Sequence, residues 1–167
     1  MMKRLVIVRH GKSSWKHNLP DDERPLKKRA FKDAKVVLGV FETFFRQNIN
    51  EDATLFWSSH AVRAKKTAKI FKKKLGIKDE DFQIKKSLYT FSSGELKKII
   101  RSAPNSIETL VVFSHNPGIT SLVNHMGDRK FDNIPTTGLC VIEFEDHSWD
   151  SISSGKTLLT LFPKNLR

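Results

Sequence analysis

Cysteine occurs once in 167 residues, at Cys140, so the chain can form no internal disulfide and is not a disulfide-stapled scaffold. Cys140 lies in the apolar run Leu139-Cys140-Val141-Ile142, which predicts a buried thiol in a reducing compartment and hence a cytoplasmic address. Long apolar runs are also missing. None approaches the ~20 residues needed to cross a bilayer, and Met1-Met2-Lys3-Arg4 leads into a strand pattern rather than a signal peptide, so no membrane association is expected. Zinc-ligand spacing is absent, as is the interleaving of aromatic and basic residues used to stack bases. No internal repeat, low-complexity tract or linker divides the sequence, and residues 1–167 read as a single domain. Acids are scarce: 18 Asp and Glu stand against 30 Lys and Arg, a formal net charge of +12.

The basic residues recur as Lys27-Lys28-Arg29, Lys65-Lys66, Lys72-Lys73-Lys74, Lys85-Lys86 and Lys97-Lys98. Most fall in helical patterns where the charges share an outward face. A solvated face is the first reading, and attraction to an acidic or phosphorylated partner the second. Charge alone does not indicate nucleic acid, and none is expected as a partner. Hydrophobic residues make up 38% of the chain, with 12 Phe and 3 Trp, enough for a real core and too many for disorder.

Strand and helix patterns alternate along the chain. Leu5-Val6-Ile7-Val8 reads as a buried parallel strand. An irregular polar stretch, 13–24, ends at Pro25. Apolar residues at Phe31, Ala34, Val37, Leu38, Phe41, Phe44 and Phe45 then mark a helix over about 26–47. Thr54-Leu55-Phe56-Trp57 is a second strand, followed by a helix over 61–75 stopped by Gly76. Residues 82–88 alternate as a third strand, and 93–101 are helical. Leu110-Val111-Val112-Phe113 forms a fourth strand, with a helix from near Pro117 to Met126. Strands over 138–144 and 156–161 close the chain. This order predicts an α/β protein, a three-layer α/β/α sandwich around one sheet.

Three strand ends carry chemistry. The first runs into Arg9-His10-Gly11-Lys12, the second into Ser58-Ser59-His60-Ala61-Val62-Arg63, and the fourth into Ser114-His115-Asn116-Pro117-Gly118. Open α/β sheets bind ligands at the carboxyl ends of their strands. An arginine offers planar, forked donors suited to phosphate. A histidine ring nitrogen attacks only while neutral, and a cationic neighbour favours that form. Gly11 lets the backbone come close to a bound group. Parallel strands bring these ends to one edge, so two arginines and two histidines can converge as a phosphoryl-transfer site built around a histidine nucleophile.

These segments resemble the histidine phosphatase superfamily, most closely its SixA-type phosphohistidine phosphatases. The resemblance is carried by Arg9-His10-Gly11-Lys12-Ser13-Ser14-Trp15, Asp21-x-x-Arg24-Pro25-Leu26 and Ser59-x-x-x-Arg63-Ala64-x-x-Thr67-Ala68. It continues in Ser87-Leu88-Tyr89, Ser114-His115-Asn116-Pro117-Gly118 and Pro135-Thr136-Thr137-Gly138. It implies a phosphoglycerate mutase-like fold with a mixed, mostly parallel sheet. It also implies that His10 becomes the phosphorylated nucleophile while Arg9, Arg63 and His115 bind and stabilise the phosphoryl group. Gly11, Lys12, Arg24 and Asn116 are the candidate substrate-binding residues, with Arg24 at the pocket edge. The family needs no metal or organic cofactor, and none is expected here; His17, His60, His125 and His147 lack ligand-like spacing.

Two departures bear on the substrate. His60 stands where many relatives carry proline. Relatives that cleave phosphate esters usually hold a carboxylic acid after the segment equivalent to Ser87-Leu88-Tyr89, where this chain has Thr90-Phe91-Ser92-Ser93-Gly94 and no acid before Glu95. An alkoxide leaving group needs a proton far more than a protonated imidazole does. The expected substrate is therefore phosphohistidine on a protein, a phosphotransfer domain being one such partner, with Glu95 or Asp128 as acids that can swing in. The rivals are a phosphatase of small phosphate esters and a non-catalytic module that recognises phosphorylated partners.

Overall fold

The computed structural model describes residues 2–167. Its strands are β1 (Lys3–Arg9), β2 (Thr54–Ser58), β3 (Phe82–Ile84), β4 (Thr109–Ser114), β5 (Leu139–Phe144) and β6 (Lys156–Leu161). Its helices are α1 (Lys28–Asn48), α2 (Val62–Leu75), α3 (Ser93–Arg101), α4 (Gly118–Met126) and the short α5 (Pro163–Leu166). The strands form one sheet in the order β3-β2-β4-β1-β5-β6. β3, β2, β4 and β1 run parallel, β5 pairs antiparallel with β1, and β6 pairs antiparallel with β5 at the sheet edge. Arg9 pairs with Ser114 and Ser58 with Phe113, so β1, β4 and β2 end level with one another. That register makes the three motif-bearing loops neighbours.

The apolar runs of the central strands are buried on both faces. From β1, Leu5 and Ile7 pack against α3 and α4 through Leu96, Ile100, Ile119 and Val123. Val6 and Val8 face the other way, towards α1 and α2 and the residues Val37, Phe41, Phe45 and Phe71. On that side Phe71 meets Phe113 edge-on with ring centroids 5.3 Å apart, and Phe41 lies 5.9 Å from Phe45. Each such buried ring contributes about 3–5 kcal/mol relative to alanine. The alternation of strand residues between two helical layers is the α/β/α sandwich the sequence predicts.

The helix ends follow local chemistry. α2 stops at Gly76, whose φ of 70° is left-handed; its N–H and that of Ile77 satisfy the carbonyls of Lys73 and Lys72. The third strand is shorter than the alternation over 82–88 predicts. Only Phe82–Ile84 pair with β2, and Lys86–Leu88 form a 3-10 turn. The reason is tertiary: the Leu88 carbonyl accepts from Ser114 Oγ at 2.7 Å, which pulls the chain off the sheet edge and delivers Tyr89 to the strand ends. The polar stretch 13–24 also carries structure, a bridge between Ser13 and Leu26 and a 3-10 turn at Asp21–Glu23.

Candidate active site

At the end of β1 the backbone is gripped from both sides. His10 N–H donates to the Ser114 carbonyl at 3.3 Å, and Thr137 N–H reaches the carbonyls of Arg9 and His10 at 3.0 and 3.1 Å. Gly11 N–H donates to Thr67 Oγ1 at 2.9 Å, and that hydroxyl donates to the Arg63 carbonyl at 2.7 Å. One threonine of α2 thus joins the His10 loop to the first turn of its own helix. A Cβ on Gly11 would lie 2.7 Å from the Ala30 Cβ of α1, so only glycine lets the helix approach this closely.

His10 is 7% exposed. Its Nδ1 lies 2.8 Å from the Gly11 carbonyl, which can only accept, so the proton sits on Nδ1 and Nε2 keeps its lone pair. Arg63, 2% exposed, donates its Nε to that Nε2 at 3.3 Å. Burial first, then the charges of Arg63, Arg9 and Arg24, push the imidazole down to about 3 against the opposing pull of the Gly11 carbonyl. His10 is a neutral ring whose Nε2 carries an unprotonated lone pair, the protonation state a nucleophile requires.

His115 is fully buried, its ring 5.1 Å from that of His10. Its Nε2 is 2.9 Å from Ser59 Oγ, which already accepts from Ala61 N–H at 3.2 Å. Assigning the Ser59 hydroxyl hydrogen to the bond with Nε2 places the ring proton on Nδ1, a buried atom with no hydrogen-bond partner. Burial, followed by the His10 ring and Arg63, pushes this imidazole to about 3 as well. Arg9 donates Nη1 to the Ile134 carbonyl at 2.9 Å, and its Nε is a second buried donor without a partner. Two unpaired donors beside a lone-pair nitrogen are costly groups, each about 1–3 kcal/mol, and both suit an incoming phosphoryl oxygen.

A cleft of about 240 Å³ opens at this point, lined by Arg9, His10, Arg63 and His115 together with Lys12, Arg24 and Asn116. Gly11 lies behind its wall. Arg24 was expected at the rim but is 6% exposed, covered by the Trp15 ring that its guanidinium stacks on at 3.5 Å. It donates to Ser13 Oγ at 2.7 Å and to Asp21 Oδ1 at 3.2 Å. Asn116 has no free hydrogen to offer. Its Nδ2 donates to the Ile134 carbonyl at 3.0 Å and to Asn133 Oδ1 at 3.1 Å, and its Oδ1 accepts from Thr120. It holds the carbonyl that Arg9 rests on. Glu95 is exposed and outside the cleft lining, and Asp128 accepts from Thr157 N–H on β6, away from it.

The acid at this site is Asp21, to which the motif Asp21-x-x-Arg24-Pro25-Leu26 by itself assigns no role. Its Oδ2 accepts from Arg63 Nη2 at 2.9 Å and from the Tyr89 hydroxyl at 2.6 Å, and its carbonyl accepts from Arg63 Nη1 at 2.5 Å. Burial alone raises the carboxyl, but the bonds from Tyr89, Arg63 and Arg24 outweigh it and hold the group at about 2. The signal was its position three residues before Arg24. His60, next to the site, pairs with Asp22 at 3.2 Å and meets the Tyr89 ring edge-on at 5.0 Å. A larger groove of about 610 Å³ lies over α1 and α2, lined by Phe31, Leu38 and Ile70 among others, with no histidine or arginine. No group of three or more His, Cys, Asp or Glu side chains is placed to hold a metal among the described residues.

Level parallel strand ends and a neutral histidine set among arginines define an α/β protein of phosphoryl transfer. Residues 5–103 match the histidine phosphatase superfamily, branch 1, and the chain belongs to that superfamily, a class of phosphatases. The Mycobacterium tuberculosis protein Rv1276c is 26% identical over 166 residues, covering 93% of this chain and 98% of its own. Among solved structures, the protein histidine phosphatase SixA complexed with tungstate superposes with a TM-score of 0.77 at 18% identity, over 98% of this chain and 99% of that one. A mycobacterial glucosyl-3-phosphoglycerate phosphatase, Rv2419c, gives 0.66 at 12% identity, over 94% and 97%. The fold is the phosphoglycerate mutase-like α/β sandwich these proteins share.

Proposed function

We propose that this phosphatase hydrolyses phosphohistidine on a protein through a covalent intermediate on His10. The Nε2 lone pair attacks phosphorus in line, and the bond to the leaving ring nitrogen breaks with its electron pair going to that nitrogen. Arg63 and Arg9 neutralise the charge on the equatorial oxygens, and His115 donates Nδ1–H to one of them. Water then attacks phospho-His10, the electron pair returns to Nε2, and phosphate leaves. Lys12, exposed at the mouth, and the lysine-rich surface favour a phosphorylated protein over nucleic acid or a membrane as partner. No helix among the described residues is long and apolar enough to cross a membrane, and the buried thiol Cys140 fits a cytoplasmic enzyme.

The observation that carries the reading is the state of Asp21. It is the one carboxylic acid among the described residues lining the cleft, and three donors hold it ionised. An ionised carboxylate cannot protonate an alkoxide, and the lack of a general acid costs an ester hydrolase about 10²–10⁴ in rate. A phosphoimidazole that enters with its far nitrogen protonated leaves as neutral imidazole and needs no such acid. The test is kcat/KM for a phosphohistidine-bearing protein, a small phosphoramidate, an aryl phosphate and an alkyl phosphate at two ionic strengths. The expected ranking runs from the phosphorus–nitrogen substrates through the aryl ester to the alkyl ester. Only the protein substrate should be strongly salt-sensitive, because surface attraction is screened over ~8–10 Å. An alkyl phosphate turned over as fast as phosphohistidine overturns the reading in favour of a small-ester phosphatase.

A further inference from the structure

Asp21 has acceptor capacity left over. An ionised carboxylate offers about four lone-pair sites. Arg63 and Tyr89 occupy both on Oδ2, and Arg24 takes one on Oδ1. One site on Oδ1 remains, on a side chain that is 41% exposed and lines the cleft.

The enzyme's own nucleophile shows what such an acceptor is for. The Gly11 carbonyl keeps a proton on His10 Nδ1, so attack through Nε2 produces a phosphorylated ring that is still protonated on its far nitrogen. That form gives up phosphorus readily, because neutral imidazole departs. Transfer from a substrate imidazole to His10 is nearly symmetric, and the leaving ring needs the same device. Inside this cleft it also needs protection. Burial and the charges of Arg63, Arg9 and Arg24 keep a second proton off the His10 ring down to about 3, and a substrate ring entering among the same arginines meets the same field.

Resting on the phosphohistidine reading, we propose that Asp21 is a catalytic residue whose free Oδ1 site accepts a hydrogen bond from the far ring N–H of the substrate phosphohistidine. The bound ring stays an imidazolium while His10 Nε2 forms the new phosphorus–nitrogen bond. As the old bond breaks, its electron pair neutralises the ring, which leaves with its proton. Asp21 itself neither gains nor loses a proton. The charged and titratable groups facing it are Arg24 from its own loop, Arg63 of α2, Tyr89 after the 3-10 turn, His115 after β4, and the neighbouring Asp22–His60 pair. Phe91, 48% exposed and lining the cleft, offers a ring for a flat cationic guest, while the Trp15 ring, also on the cleft lining, already stacks on Arg24.

The test uses the full chain with Asp21→Asn and Asp21→Ser, assayed on phosphohistidine and on an aryl phosphate whose leaving group carries no ring proton. The expected result is that kcat for phosphohistidine falls at least about tenfold further than kcat for the aryl ester, the equivalent of one unit of differential proton affinity. The alkaline limb of the phosphohistidine profile should move to lower pH. Inorganic phosphate, used as a competitive inhibitor, should bind at least as tightly as before, because a negative charge has left the site. Equal losses on both substrates with weakened phosphate inhibition overturn the inference, since Asp21 then only orients Arg63. Failure of the unmodified protein to hydrolyse phosphohistidine overturns the reading beneath it as well, a distinct outcome.

Discussion

Arg63 aims its Nε hydrogen at His10 Nε2 from 3.3 Å while both of its terminal nitrogens are held by Asp21. The donor set is thus oriented on the attacking atom before any substrate arrives. Arg63→Lys keeps the charge but loses the fork. The expected cost is about 10²–10³ in kcat, the size of losing a preorganised donor. Arg24→Lys should cost less, because Arg24 bonds Ser13 and Asp21 rather than His10. Steady-state kinetics on an aryl phosphate compare the two, and equal small losses would place Arg63 outside the reaction.

His10→Ala should abolish turnover and leave the fold intact, since the residue follows β1 and its ring is spent on the cleft rather than the core. Labelled phosphoryl donor should give an acid-labile, alkali-stable adduct on the unmodified protein. Mass spectrometry of the trapped protein locates it. An adduct that persists in His10→Ala refutes the nucleophile.

Gly11→Ala should destabilise the protein and lower activity, because the new methyl meets the Ala30 Cβ at 2.7 Å. The cost should fall in the ~1–3 kcal/mol range of overpacking. Adding Ala30→Gly removes the opposing atom, so the double variant should recover part of both losses. Thermal unfolding of the three variants reads the coupling. No recovery would mean that Leu26 or Thr137, the next nearest neighbours, sets the limit.

Acid should weaken the fold through the two site histidines. Both rings are lowered from 6.5 to about 3, so below pH 6.5 the unfolded chain binds protons that the folded chain refuses. Stability is full above the unfolded value and is lost as pH falls from 6.5 towards about 3. Asp21, lowered from 3.8 to about 2, acts only further down, between those two values. Melting temperatures from pH 7 to pH 4 should decline, and His10→Asn with His115→Asn should flatten the decline. An unchanged slope would show that the rings titrate as they do in water.

Much of this protein is written in local sequence. The β-branched run of β1, the apolar spacing of α1 and Gly76 at the end of α2 each fix an element through interactions within a few residues. Arg9, His10, Arg63 and His115 were legible because each follows or closely trails a strand of the parallel set, and that topology brings such ends together. The short β3 and the turn at Lys86–Leu88 were not, since alternation over 82–88 fits a strand until Ser114 captures the Leu88 carbonyl.

The sequence alone determined the layered α/β sandwich and the identity of the residues that meet at its edge, because periodicity and strand order act over short range. Tertiary structure decided what those residues are free to do. Asp21 meets Arg63 across 42 positions and Tyr89 across 68, and those contacts turn an unremarked acid into a fixed anion of the cleft. Asn116, which reads as a substrate ligand, is fully occupied by Asn133, Ile134 and Thr120. The protonation of His10 likewise rests on burial and on Arg63 and Arg24, which join its sequence neighbour Arg9 only in the fold. Charge state and hydrogen-bond supply depend on every neighbour in space, and the fold chooses those neighbours.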